Sequence, residues 1–90
     1  MKWRVYLGNQ HAMCRVYAEA DTKNRAFRKA FNKAKPQFRH YKLADHYGGK
    51  LKADKLWIEA FLNCSRKMTR SATSTSYENP VGFNVEIRRV

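Results

Sequence analysis

Apolar and polar residues alternate at both ends of this chain and recur at helical spacing between them. Over residues 2–7, Trp3, Val5 and Leu7 point one way and Lys2, Arg4 and Tyr6 the other, the period of a half-buried strand. Residues 13–18 repeat the pattern, with Cys14, Val16 and Ala18 opposite Met13, Arg15 and Tyr17. Gly8-Asn9-Gln10-His11 between them has turn composition, so the two runs predict a β-hairpin. The C-terminal residues 81–90 alternate again, Phe83, Val85 and Ile87 against Asn84, Glu86 and Arg88. They predict a strand joining the hairpin in one sheet, where Glu86 can pair across strands with Arg4 or Arg15.

Between the strands the period changes. Ala26, Phe27, Ala30, Phe31 and Ala34 form one apolar stripe of an amphipathic helix, with Asp21 or Thr22 placed to cap it. Lys35-Pro36 predicts a break, because proline disfavours the helical conformation in the residue before it. A short second helix is expected at about 37–47, with Phe38, Tyr41 and Ala44 inward and Gly48-Gly49 as its stop. Residues 55–64 are open to two readings. As a helix, capped by Asp54, they turn Leu56, Trp57, Ala60, Phe61 and Cys64 to one side and leave Ile58 and Leu62 outside the stripe. As a strand, Ile58, Ala60, Leu62 and Cys64 share a face. Residues 65–80 are polar and predict a long flexible loop. The expected fold class is α+β, a small antiparallel sheet of N-terminal hairpin plus C-terminal strand, with two or three helices on one face. The 90 residues make one domain.

Charge changes the picture more than size does. Nineteen Lys and Arg stand against seven Asp and Glu, a formal net charge of +12. Solubility alone needs far less. From Asp21 to Asp45 no acidic residue intervenes, while Lys23, Arg25, Arg28, Lys29, Lys33, Lys35, Arg39 and Lys42 follow one another. A solvated helix normally mixes signs, because opposite charges one turn apart stabilise it and like charges oppose it. The run therefore points to an anionic partner, DNA or RNA above all. Arg25, Arg28, Lys29 and Lys35 on the back of the first helix are the leading phosphate-binding candidates. Lys33, Arg39 and Lys42 extend the patch, as do Lys23, Lys50 and Lys52. The outer sheet face offers a second surface, Tyr6 and Tyr17 to stack on unpaired bases beside Arg4 and Arg15.

The rival reading is a small basic inhibitor or adaptor, of the kind viruses and phages encode, that docks on an acidic protein surface. Trp57 or Phe61 would be its exposed anchor. Other chemistry is poorly represented. His11 and Cys14 have an H-x-x-C spacing, but a structural zinc site needs two such ligand pairs, so no metal or other cofactor is expected. His40, Asp45 and His46 lie near a lysine-rich stretch where a histidine pair could act as acid and base in phosphodiester cleavage, but no nucleophile motif and no glycine-rich phosphate loop accompany them, which argues against an enzyme. No run of about 18 apolar residues is present to span a membrane. Met1 to Gly8 lack the apolar core of a signal peptide. Two cysteines without framework spacing suit reduced thiols and a cytoplasmic location.

Overall fold

A computed structural model describes residues 2–9, 14–40 and 43–90, without the side chains of residues 14, 39, 40, 43 and 44. The strands are β1, Trp3–Asn9, β2, Cys14–Ala20, β3, Ser74–Glu78, and β4, Phe83–Arg89. They form one antiparallel sheet in the order β2-β1-β4-β3. The helices are α1, Lys23–His40, α2, Leu43–His46, and α3, Lys50–Lys67. α1 lies over β1 and β2, and α3 over β3 and β4. The architecture is α+β, with the hairpin and the C-terminal strand paired as the alternation predicts.

One sheet face supplies Val5, Leu7, Ala18, Phe83, Val85 and Ile87 to the core, each of them buried. The helices return Ala26, Ala30, Phe31 and Ala34 from α1, and Ala53, Trp57, Ala60, Phe61 and Cys64 from α3. The alanines let the helix backbones approach the sheet, and the aromatic rings fill the space between the helices. Phe27 and Phe61 stack at 4.2 Å between centroids, and Trp57 meets Phe83 edge-on at 4.7 Å.

α1 is capped by Thr22, whose hydroxyl accepts the Arg25 N–H at 3.1 Å while its carbonyl accepts that of Ala26 at 3.0 Å. The expected break at Pro36 does not occur. α1 runs through it to His40, and the helix proposed at 37–47 is replaced by the end of α1 and the single turn of α2. An interior proline costs a helix about 3 kcal/mol. Two features offset that cost. Pro36 is exposed, so water reaches the Asn32 carbonyl that has lost its donor. Continuing the helix also buries Phe38 against Trp57 and Phe83, and a fully buried Phe contributes about 1.5–3 kcal/mol. The inward placement of Phe38 holds; Tyr41 and the side chain of Ala44 lie outside the described residues.

Residues 55–64 are helix, in the middle of α3, with the stripe that the helical reading assigned. Asp54 is not its cap, because α3 begins a turn earlier. Gly49, at φ 113°, precedes its first residue and accepts the Ala53 N–H at 3.1 Å. The two glycines thus serve both helices, since Gly48 N–H closes α2 on the Asp45 carbonyl at 3.1 Å.

The polar segment 65–80 is not all loop. Ser74–Glu78 pair with β4 as an edge strand. β3 is half-covered, with Thr75 and Tyr77 partly buried and Ser74, Ser76 and Glu78 exposed. An edge strand needs only one modest apolar face, so its composition can stay polar. The β3–β4 turn is held by Asn79, a buried amide. Its Oδ1 accepts the Phe83 N–H at 3.0 Å and its Nδ2 donates to the Leu56 carbonyl of α3 at 3.3 Å. Gly82, at φ 92°, completes the turn and donates to the Asn79 carbonyl at 3.0 Å.

Candidate nucleic-acid interface

α1 carries Lys23, Arg25, Arg28, Lys29, Lys33, Lys35 and Arg39 and no carboxylate. The helix turn sorts these cations into two rows. Arg25, Lys29 and Lys33 recur every four residues and form a ridge beside β2, the edge strand under α1. Arg28 and Lys35, two turns apart, stand on the other flank, toward α3. The expected cationic back is therefore real but divided.

Each row has a local tether. Lys29 Nζ donates to the Glu19 carbonyl at 3.3 Å and Lys33 Nζ to the Tyr17 carbonyl at 3.2 Å. Both lysines remain exposed, so their charge faces solvent while the contacts hold it along the β2 edge. Lysines over an edge strand also hinder another chain from pairing there. Lys35 Nζ lies 4.7 Å from the Phe31 ring centroid. Lys23 is different: half-buried, it donates to Ser65 Oγ at 3.0 Å and lies 5.5 Å from the Trp3 ring, tying α1 to the end of α3. It is a structural cation and leaves the proposed patch. Lys50 and Lys52 are exposed at the start of α3. Lys42 and the side chain of Arg39 lie outside the described residues.

The open sheet face brings together the residues expected there, and more. Tyr6 and Tyr17 sit side by side on β1 and β2, 5.5 Å between centroids. Arg4 lies 5.6 Å from the Tyr17 ring, and Arg88 of β4 lies 5.4 Å from the Tyr6 ring. Tyr6, Gly8, Arg15, Tyr17, Ser76, Asn84 and Glu86 line a shallow basin of about 420 Å³. The arginines of this face are largely committed within the protein. Arg4 donates to Tyr6 Oη and is ion-paired with Glu19; Arg88 is ion-paired with Glu86. Glu86 thus takes Arg88 on its own strand rather than Arg4 or Arg15. Hydrogen bonds to Tyr6 and Glu19 raise the Arg4 pKa, and the bond from Arg4 holds the Glu19 carboxyl below its ordinary value. Strand register puts Arg4, Arg15 and Arg88 on this face with Glu19, Glu78 and Glu86, and Lys2 beside Glu19 at its end makes four cations against three anions. The face is close to balance where α1 is not.

Trp57 and Phe61, the expected exposed anchors, are core residues at 2% and 5% exposure. The apolar residues that α3 does expose are Leu51, Ile58 and Leu62. Leaving Ile58 and Leu62 outside the helical stripe was the available signal; ring size pointed to the wrong pair. Arg88 and Glu19 were also missed, although strand alternation places both on the Tyr6 face.

Among the described residues no group of three or more His, Cys, Asp or Glu side chains is placed to share a metal ion. His11 and the side chains of Cys14 and His40 lie outside them. Asp45 and His46 are exposed on α2. Cys64 is a free, buried thiol, donating to the Thr75 carbonyl at 3.3 Å, and burial pushes its pKa up to about 11. No described helix is long and apolar enough to cross a membrane. Comparison with protein-family models, with curated proteins and with solved structures gives no match for this chain.

Proposed function

We propose that this protein binds nucleic acid, without catalysing a reaction on it, through the outer side of α1. Arg25, Arg28, Lys29 and Lys33 are the phosphate-contacting residues, with Lys35 beside them. The observation that carries this reading is the contrast between two surfaces. α1 exposes Arg25, Arg28, Lys29 and Lys33 with no carboxylate on the helix and Glu19 and Asp21 beside only its first turns, whereas on the sheet face Arg4 and Arg88 are ion-paired with glutamates. Solvent-facing cations along a helix suit a phosphate backbone, because each phosphate neutralised releases a condensed counterion. Cations already paired within the protein lose that contact before they gain a new one.

The sheet face serves as a second surface in this reading. Tyr17 is 54% exposed beside Tyr6 and Arg15, so an unpaired base has a ring to stack on without breaking an ion pair. Duplex and single-stranded ligands therefore separate the two surfaces. Arg28→Glu with Lys29→Glu should abolish binding to both kinds of ligand while the circular dichroism spectrum stays unchanged. Tyr17→Ala should weaken single-stranded binding alone. Unchanged affinity in the α1 double variant would remove the helix from the interface.

A further inference from the structure

Between α1 and α3 runs a groove that shares Arg28 and Lys35 with the proposed phosphate contacts and adds an apolar wall that phosphate binding does not use. Its floor is Phe27, Phe31 and Phe61, and its α3 wall carries Ile58 and Leu62, 43% and 47% exposed. Leu51, 80% exposed, continues the same line, since positions 51, 58 and 62 fall on one side of a helix. This stripe is distinct from the core stripe of Trp57, Phe61 and Cys64, so α3 is apolar on two sides. From Leu51 to Leu62 the line extends ~16 Å, about three helical turns. Exposed aliphatic residues aligned over that length mark a docking surface rather than scattered surface apolarity.

The charge around this groove selects its occupant. Arg28 and Lys35 stand on the α1 rim beside Asn24 and Asn32, and no carboxylate lines the groove. On α3 the charged neighbours of this stripe are Lys55, Asp54 and Glu59. All three lie outside the lining, so the groove's own charge is that of Arg28 and Lys35. A second copy of this chain would bring cations against cations, with +12 on each partner. Nucleic acid would satisfy Arg28 and Lys35 and leave the aliphatic stripe uncovered. We infer that the groove between α1 and α3 receives an acidic amphipathic helix of a partner protein. Its apolar side covers Ile58 and Leu62, and its carboxylates meet Arg28 and Lys35.

The test uses the whole protein and a designed probe. The probe is a fluorescent helical peptide of roughly 15 residues, with leucines at i, i+4, i+7 and i+11 and glutamates elsewhere on its surface. Two controls accompany it, a scramble of the same composition and a version with lysine in place of glutamate. Anisotropy at about 150 mM salt should show the probe binding at least about tenfold tighter than its scramble, and the lysine version not at all. Ile58→Ala with Leu62→Ala should weaken the probe about tenfold, with an unchanged circular dichroism spectrum because both side chains are exposed. NMR methyl shifts should appear at Ile58 and Leu62 on adding the probe and not on adding the same concentration of the scramble. Equal affinity for probe and scramble would overturn the inference, as would probe binding that leaves the Ile58 and Leu62 methyls unshifted. A dimer in sedimentation analysis that the same double variant abolishes would assign the groove to a second copy instead.

Discussion

Pro36→Ala should stabilise this protein markedly, and the size of the gain follows from the course of α1. The helix passes through Pro36, so the ring removes one interior hydrogen bond and crowds the Asn32 carbonyl. Alanine restores that bond, worth about 3 kcal/mol on helix propensity. It also frees the unfolded chain at this position, which takes back about 0.4–1 kcal/mol. The net gain is about 2 kcal/mol. An unfolding entropy of about 2.1 cal/mol/K per residue, over 90 residues, converts this into a Tm increase of about 10 °C. Differential scanning calorimetry measures it directly. Nucleic-acid affinity should not change, because Pro36 carries no charge and its removal leaves the cation rows in place. An unchanged or lowered Tm would refute a continuous α1 and favour the broken helix that the local sequence suggests.

Three further outcomes follow from particular contacts. Asn79→Ala should cost about 1–3 kcal/mol, measured by urea denaturation, because it leaves the Leu56 carbonyl and Phe83 N–H without their amide partner beneath the β3–β4 turn. In a Cys14→Ser background, Cys64 should resist an aromatic disulfide reagent at pH 8 and react at once in denaturant, since burial raises its pKa to about 11. The Glu19 pKa is depressed in the folded protein, so the Arg4–Glu19 pair stabilises above the ordinary carboxylate pKa and is lost as pH falls through the lower, folded value. The effect should be small, because both side chains are about one-third exposed, and Glu19→Gln should remove that part of the acid dependence of Tm.

Much of the fold was legible because period and burial agree. Trp3, Val5 and Leu7, or Phe83, Val85 and Ile87, alternate so regularly that only one strand register buries them. The alanine and phenylalanine stripe of α1 is as plain at helical spacing. Pro36 misled because a local preference of about 3 kcal/mol was offset by its exposure to solvent together with a distant contact, Phe38 against Trp57 and Phe83, invisible in the neighbouring residues. β3 was missed for the opposite reason. As a half-covered edge strand it has Tyr77 as its one large apolar residue, and Ser-Thr-Ser resembles a loop. At the site, the α1 cations were visible because they are consecutive. Their division into two rows and the pairing of Arg4 with Glu19 depend on what packs beside them, which composition does not carry. Trp57 and Phe61 were poor anchor candidates for a physical reason: large rings are what a core this small most needs to bury.

The central claim is that exposed α1 cations bind a phosphate backbone, and its salt dependence tests that most directly. Affinity for duplex DNA, single-stranded DNA and structured RNA would be measured between about 50 and 200 mM salt. Four phosphate contacts, one each for Arg25, Arg28, Lys29 and Lys33, predict a slope of log K against log salt near −3.6 on a duplex, about a hundredfold loss across that range. Replacing all four by glutamine should take away nearly the whole slope and the affinity with it. An unchanged slope in that variant, or no binding to any of the three at the lower salt, would contradict the account.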